Sequence, residues 1–280
     1  MYIREYFSPT PIFATTTNGE GLHNKLILSL FPGVDLLSKP FEQRGFCIVR
    51  GPDLLFGSDI RQFNAPENRF NGIIAGPLCQ EFSALHRTEK TGYSQAMLNE
   101  LKRVIEAAQP DWWLVENVAG VPDIKIPGYT WQRFDLDLAW YAEYSRLRHI
   151  QFGSKKGLLL DPPKRPKNKI NGSAVLATDD RSFDEMKYIQ GLSADYDLPS
   201  FTLQGKKRAI GNAVPIKLAD ELAELINTQL YGAVHSHVPQ PEFVNDLRCA
   251  CQCGRRVFGK ATYFSAACRK RAQRRRAKCD

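Results

Sequence analysis

The chain has 280 residues, 43% of them hydrophobic, and a formal net charge of +8. It contains no run of the ~18 apolar residues that a membrane-spanning helix needs, and its first residues lack the basic-then-apolar pattern of a secretion signal. These features argue against a membrane-spanning or membrane-bound class and predict a cytoplasmic protein with one large α/β domain and a small appendage.

The positive charge is concentrated near the end of the sequence. Residues 248–280 contain eleven Lys or Arg and one acidic residue, while the rest of the chain contains 27 basic and 29 acidic ones. Such a concentration favours an anionic polymer as partner, and a solvated tail without a partner is the alternative. The same stretch holds five of the seven cysteines, which without a secretion signal indicates metal binding more than disulfides.

The first predicted unit is a strand, a turn, a helix and a second strand. We place these elements at residues 26–30, 31–35, 36–44 and 46–49. Gly33 in the turn would let a ligand approach the backbone, and Asp53 is placed to bond ribose hydroxyls. Asp59 could reach an adenine amino group. The pattern predicts a nucleotide-type site, and an ordinary βαβ unit with Asp59 as a helix N-cap is the alternative.

A single cysteine follows the next apolar run. Residues 71–75 predict a buried strand that ends at Gly76-Pro77. Cys79 then lies just past the carboxyl end of a strand, where open α/β sheets bind their ligands. A helix that starts near Phe82 would favour the reactive thiolate through its N-terminus. A buried structural cysteine is the alternative.

The strands predicted later in the chain carry charged side chains at an end or on one face. We predict a helix at 94–108 and strands at 112–115, 130–138 and 146–153. The first of these strands leads into Glu116, and alternation puts Arg146 and Arg148 on one face of the last. Two cations on one face suit an anion or a charged intermediate. The alternatives are that Glu116 is a structural carboxylate and that the strand at 146–153 is a solvent-facing edge strand. Residues 155–205 are weakly periodic, and residues 208–215 predict a turn into a closing helix, with Pro215 in its first turn.

Four motifs in order resemble those of the cytosine-C5 DNA methyltransferase family. They are Gly-Pro-Leu-Cys-Gln-Glu-Phe-Ser at 76–83, Glu-Asn-Val at 116–118, Arg-Leu-Arg at 146–148 and Gly-Asn-Ala-Val-Pro at 211–215. The resemblance covers roughly residues 26–230 and is closest to the short enzymes of phages and prophages. It implies a Rossmann-like, S-adenosylmethionine-dependent methyltransferase fold of class α/β, with a small irregular recognition region and a C-terminal zinc knuckle.

The resemblance also implies a role for each matching residue. Cys79 matches the nucleophile that attacks cytosine C6, and Glu116 matches the acid that holds the N3 edge. Arg148, with Arg146, matches the arginine pair that supports a flipped base. The positions that match cofactor contacts are Phe31, Gly33, Asp53, Asp59 and Asn212. S-adenosylmethionine is therefore the expected cofactor, double-stranded DNA the expected partner, and a monomer the expected state.

Three residues depart from the family pattern. Leu78 stands where the family has proline, Asp35 where it has a second glycine, and Tyr144 where it has glutamine. A non-catalytic DNA-binding protein on the same fold and an RNA cytosine-C5 methyltransferase are the alternatives, and the biological role, restriction-modification included, stays open.

The tail resembles a small zinc-binding module. The expected ligands are Cys249, Cys251, Cys253 and Cys268. Cys279, His235 or His237 could replace one of them, and free thiols in a basic tail are the alternative. A basic helix at 269–278 would contact phosphates. The predicted organisation is an N-terminal extension (1–24), a methyltransferase domain (25–234) with its recognition region at 155–205, a linker (235–247) and the zinc-binding tail (248–280).

Overall fold

The computed structural model describes residues 25–83, 87, 89–232, 248–253, 255, 257 and 261–276. The predicted N-terminal extension and linker lie outside the described residues, as do Cys279, His235 and His237. No helix among the described residues combines the length and the apolar character needed to cross a bilayer.

The centre of the structure is a six-stranded mixed sheet. Its strands are β1 (Leu26–Leu30), β2 (Cys47–Arg50), β3 (Gly72–Ala75), β4 (Trp112–Asn117), β5 (Thr130–Asp137) and β7 (Leu147–Ser154), in the spatial order β2-β1-β3-β4-β7-β5. The first four run parallel, whereas β7 is antiparallel to both β4 and β5. A separate pair is formed by β6 (Tyr144–Ser145) and β8 (Gly172–Ser173).

The described residues contain six α-helices: α1 (Lys39–Gln43), α2 (Tyr93–Ala108), α3 (Phe183–Gln190), α4 (Leu203–Asn212), α5 (Ile216–Tyr231) and α6 (Ala266–Arg276). The faces of the sheet are covered by α1, α2 and α5. Side chains of α1 and α5 share one core with β1, β4 and β7, and the apolar stripe of α2 packs in a second core with β1, β3 and β4. This is the mixed α/β architecture with a central sheet that the sequence predicts.

Two helices differ from the sequence prediction. The first is shorter than 36–44, because Pro40 fixes the helix start and the residues before it form turns. The second difference is at 208–215: residues 208–212 are the last part of α4, and Pro215 is the N-cap of α5, one residue before its first turn. The prediction of a turn there was wrong, because α4 is mostly polar and contains two glycines that disfavour a helix locally.

Residues 155–205, which the sequence predicts to be a recognition region and which we call the recognition segment, are mostly irregular but contain β8, α3 and the start of α4. Its apolar side chains form a small core with α4 and the start of α5, including Val175, Met186, Ile189 and Ile210. Earlier in the segment, the Leu160 backbone exchanges two hydrogen bonds, of 2.8 and 2.9 Å, with the Gln132 side chain on β5. The segment is therefore packed against the sheet domain at both ends.

Candidate active site

The predicted site residues converge at the carboxyl edge of the parallel strands. There β1 leads into the Phe31–Asp35 turn, β3 into Cys79 and β4 into Glu116. Because β7 is antiparallel to β4, its first residues return to the same edge and bring Arg148 to Glu116. A cavity of about 470 Å³ opens at this edge. Its lining includes Phe31, Gly33, Asp53, Asp59, Gly76, Leu78, Glu116, Arg208 and Asn212.

The turn after β1 forms one wall of the cavity. Phe31 and Gly33 both have positive φ angles, of 54° and 55°. The Gly33 amide donates to Asp53 Oδ2 at 2.8 Å, and the Leu55 amide donates to Asp53 Oδ1 at 2.8 Å. The carboxylate thus ties the end of β2 to the turn. Nothing lies within 4 Å of where a Gly33 Cβ would be, so the backbone there is open to a ligand.

Asp59 has one of the two roles that the sequence left open, and its position is compatible with the other. It is the N-cap of a 3₁₀ turn at Ile60–Gln62, and it also lines the cavity. Hydrogen bonds from the side chain and the backbone amide of Arg61 lower the pKa of Asp59. The carboxylate therefore stays an acceptor at neutral pH.

Asp35 is held away from the cavity. It has φ 54°, the left-handed conformation that suits a glycine. Its side chain is buried, where it accepts from the Ser29 hydroxyl at 3.2 Å and pairs with Arg50 Nε at 2.6 Å. Asp35 is not among the residues that line the cavity. The Arg50 pair, which the sequence analysis missed, compensates the carboxylate that replaces the expected glycine.

Cys79 caps a single 3₁₀ turn, Gln80–Phe82. Two residues earlier, the Pro77 carbonyl accepts from Asn117 Nδ2 at 3.2 Å. Burial raises the pKa of Cys79 and nearby Glu116 adds to the rise, while Arg148 and Arg146 act in the opposite direction. The expected help from a helix N-terminus is small, because three residues of 3₁₀ helix carry little dipole. In this structure the protonated thiol of Cys79 is therefore favoured over the thiolate.

Glu116 and Arg148 form a buried ion pair. Arg148 Nε lies 2.7 Å from Glu116 Oε1, and the two side chains are 16% and 10% exposed. Since a buried carboxylate needs a partner, the arginine stabilises Glu116 where it faces the cavity. The predicted acid and its arginine are therefore brought together.

Arg146 lies beside this pair but contacts backbone. Its guanidinium donates to the carbonyls of Val175, Gly211 and Ala213, while its Nε is buried without a hydrogen-bond partner among the described residues. Burial, and then the charge of Arg148, lowers the pKa of Arg146 to about 9, so the group remains charged at neutral pH. Arg146 thus joins the recognition segment to the end of α4 and the residue after it.

Asn212 ends α4 and lines the cavity. Arg208, one helical turn earlier, also lines the cavity and is exposed. The sequence analysis missed Arg208, although its spacing of four from Asn212 places both residues on one helix face.

The tail brings four cysteines together. The Sγ atoms of Cys249, Cys251, Cys253 and Cys268 all lie within 4.8 Å of one another. Four thiolates around zinc at ~2.3 Å stand roughly 3.8 Å apart, so this set fits a closed tetrahedral site. The Phe264 amide donates to Cys249 Sγ at 3.2 Å, a contact that favours a thiolate. The cluster is thus suited to hold a metal ion.

The sheet order and the cavity at its carboxyl edge define a methyltransferase-type α/β fold. Within this chain, residues 56–132 match the model of the C-5 cytosine-specific DNA methylase family. The match includes Cys79 and Glu116 with their flanking motifs. It confirms the resemblance to that family that the sequence motifs predict.

Solved structures of methyltransferases have the same fold. A protein encoded within an E. coli prophage and described as a predicted DNA modification methyltransferase is 17% identical, with a TM-score of 0.56, and the match covers 74% of this chain and 99% of that one. The Entamoeba histolytica methyltransferase EhMeth is 10% identical, with a TM-score of 0.55 and coverages of 73% and 98%. S. pombe Dnmt2 methyltransferase is 13% identical, with a TM-score of 0.55 and coverages of 74% and 99%. No curated protein matches the chain significantly in sequence.

Proposed function

We propose that this protein is a DNA cytosine-C5 methyltransferase that transfers a methyl group from S-adenosylmethionine to C5 of a flipped cytosine. The observation that carries the proposal is that Leu78, next to Cys79, and Glu116, the partner of Arg148, line the same cavity as the turn after β1. The family match over residues 56–132 supports the choice of cytosine C5 as the acceptor.

The cavity fits a nucleoside-type cofactor. Its volume is within the range of about 300–1,000 Å³ that suits small-molecule sites. Gly33 and Phe31 would hold one end of S-adenosylmethionine, Asp53 its ribose hydroxyls and Asp59 its adenine, with Asn212 closing the pocket. The carboxylate of Asp53 suits this role because each of its oxygens accepts one backbone amide and can accept a further hydrogen bond. The oxygens of Asp59 already accept from the neighbouring arginine, with which adenine would compete. When bound, S-adenosylmethionine supplies an electrophilic methyl group.

The side chains divide the chemistry as follows. Cys79 gives its proton to solvent and the thiolate adds to C6 of the cytosine, so that the electron pair of the C5–C6 double bond becomes available at C5. Glu116 in its protonated form would donate a hydrogen bond to N3, where negative charge develops as sulfur attacks, and Arg148 keeps the Glu116 side chain in place. Transfer of the methyl group to C5 would leave the cofactor as a neutral thioether. Loss of the C5 proton to solvent and departure of the Cys79 thiolate then restore the ring.

The tail supplies a basic surface for double-stranded DNA. Helix α6 carries Arg269, Lys270, Arg271, Arg274 and Arg275, and its Cys268 belongs to the cysteine cluster. Zinc bound to the four cysteines would stabilise a module whose apolar core is small. We expect α6 to contact phosphates, which position a protein on DNA without reading its sequence. We propose that the enzyme acts as a monomer.

The test uses wild-type protein and the Cys79→Ala variant. With labelled S-adenosylmethionine, wild type is expected to label cytosine-containing DNA but not RNA of the same sequence. DNA that contains 5-fluorocytosine should form a stable adduct with wild type, and Cys79→Ala should form none. Wild-type protein that binds the cofactor but methylates no DNA would overturn the proposal, and label found only in RNA would replace DNA with RNA as the substrate.

A further inference from the structure

We propose that Glu81, two residues after Cys79, is a positioning residue that fixes the nucleophile turn on the N-terminus of α2. The proposal rests on the proposed function for its effect on catalysis. Its structural part, the placement of Cys79 by Glu81, stands on contacts among described residues and can be tested without the reaction.

The Glu81 carboxylate makes a clasp with the start of α2. Oε1 accepts from the Thr91 amide at 2.6 Å and from the Thr91 hydroxyl at 2.7 Å. Oε2 accepts from the Ser94 amide at 2.8 Å, and in return the Ser94 hydroxyl accepts from the Glu81 amide at 3.4 Å. Both oxygens of a buried carboxylate are therefore engaged by residues 10 and 13 positions away.

Helix α2 needs this carboxylate. Its own N-cap, Gly92, has no side chain to accept a hydrogen bond, so the Ser94 amide at the second helical position is capped by Glu81 instead. The negative charge also lies at the positive end of a 16-residue helix. The clasp is thus favourable for the helix as well as for the turn.

Helix α2 is a firm anchor for the turn. Its apolar stripe is buried against β1, β3 and β4. The side chains that form the stripe are Met97, Leu98, Leu101, Val104 and Ile105, each at most 2% exposed. A side chain that ties the Cys79 turn to α2 therefore ties it to the core of the domain.

Two other contacts hold the same turn from the β4 side. Asn117 Nδ2 donates to the Pro77 carbonyl at 3.2 Å. A Cβ on Gly120 would lie 2.3 Å from the Phe82 carbonyl oxygen, so the backbone after β4 packs directly on the turn. With Glu81, the turn is held on two sides, and Glu81 provides the hydrogen bonds to α2.

Glu81 does not itself act on the substrate. Both of its carboxylate oxygens accept hydrogen bonds from Thr91 and Ser94 at the start of α2, so they are not directed at a substrate. Hydrogen bonds from the Thr91 hydroxyl and the Ser94 amide lower the pKa of Glu81 to about 2, so it carries no exchangeable proton near neutral pH. Its effect on the reaction passes through the position of Cys79.

The decisive variant is Glu81→Gln, with Glu89→Gln as matched control. In Glu81→Gln one carboxylate oxygen becomes an amide NH₂ group, which cannot accept a hydrogen bond from Thr91 or Ser94. The clasp therefore loses a contact while the side chain keeps its size. Glu89 is exposed in the same stretch and undergoes the same chemical change. Thr91→Val removes only the hydroxyl donor and serves as a milder variant if Glu81→Gln does not fold.

Two measurements are made on each protein. The first is single-turnover methylation with saturating DNA and cofactor, where a displaced nucleophile is expected to cost about 100-fold in rate. In Glu81→Gln, KM for DNA and the calorimetric affinity for S-adenosylmethionine should change less than twofold. Thr91→Val should lose about fivefold in methylation rate. The second is alkylation of Cys79 by iodoacetamide, followed by mass spectrometry of its peptide, which should become at least several-fold faster in Glu81→Gln.

The outcomes separate the two proposals. Alkylation of Cys79 at the wild-type rate in both Glu81→Gln and Thr91→Val overturns the positioning role, whatever the activity. A rate constant for methylation within twofold of wild type in Glu81→Gln overturns it too. If wild type transfers no methyl group but Glu81→Gln exposes Cys79 and Glu89→Gln does not, the proposed function fails while the placement of Cys79 by Glu81 stands.

Discussion

The buried pair between Arg148 and Glu116 makes a sharp prediction about stability. In Arg148→Met the aliphatic stem is kept and the charge is lost, so the Glu116 carboxylate remains buried without its 2.7 Å partner. Breaking a buried ion pair in this way costs about 3–5 kcal/mol. Because Glu116 lines a cavity that water can enter, we expect a loss near the lower limit, about 3 kcal/mol of the free energy of unfolding.

The double variant Glu116→Gln, Arg148→Met tests the reason for that loss. It contains neither charge, so no unpaired carboxylate remains, and it should be more stable than Arg148→Met alone by at least about 1 kcal/mol. Arg61→Met is the control, because its pair with Asp59 is exposed to solvent and should change the free energy of unfolding by less than the experimental error.

Urea unfolding followed by tryptophan fluorescence measures these differences. Trp112 and Trp113 are almost fully buried on β4, close to Glu116, and report on the sheet. A loss below about 1 kcal/mol in Arg148→Met, or a double variant that is less stable than Arg148→Met, would show that the pair is not the buried, mutually dependent one derived from the geometry.

Three further predictions concern the thiol and the tail. Since burial raises the pKa of Cys79, its alkylation rate should rise about tenfold per pH unit between pH 7 and 9, and a plateau below pH 8 would contradict this. Purified protein should contain about one equivalent of zinc by elemental analysis, and Cys268→Ser less than half of that; equal metal contents would refute the site. Replacing five of the six basic residues of α6, those at 269–271, 274 and 275, by Gln should make the salt dependence of DNA binding shallower, by up to about 4.5 in log–log slope. An unchanged slope would show that α6 does not contact phosphates.

Much of the sheet could be predicted from the sequence, because its buried strands are short apolar runs. Strands β1 and β4 and helix α2 occur within one or two residues of where the pattern places them. The exceptions have local causes. Pro40 shortens α1, and α4 carries too few apolar residues and too many glycines to give a helical pattern. Its helical state depends on packing against the recognition segment, which no local pattern reports.

The sequence indicated which residues belong to the candidate site, but it did not indicate which contacts they make. Cys79 and Glu116 belong to neighbouring parallel strands, which end at one edge of the sheet, so their proximity could be predicted. Arg148 reaches the same edge because β7 is antiparallel to β4, which the sequence did not show. The sequence could not show that Arg50 neutralises Asp35, since the two meet across the neighbouring strands β1 and β2. Nor could it show that Arg146 would bind the carbonyls of Val175, Gly211 and Ala213.

The three carbonyls held by Arg146 have a thermodynamic consequence. One belongs to the recognition segment, and two belong to the end of α4 and the residue after it, beside Asn212, which lines the cavity. A ligand that shifts Val175 also shifts the hydrogen bonds at Gly211 and Ala213. We therefore expect the affinities for nucleic acid and for cofactor to be linked, with each ligand changing the affinity for the other by the same factor.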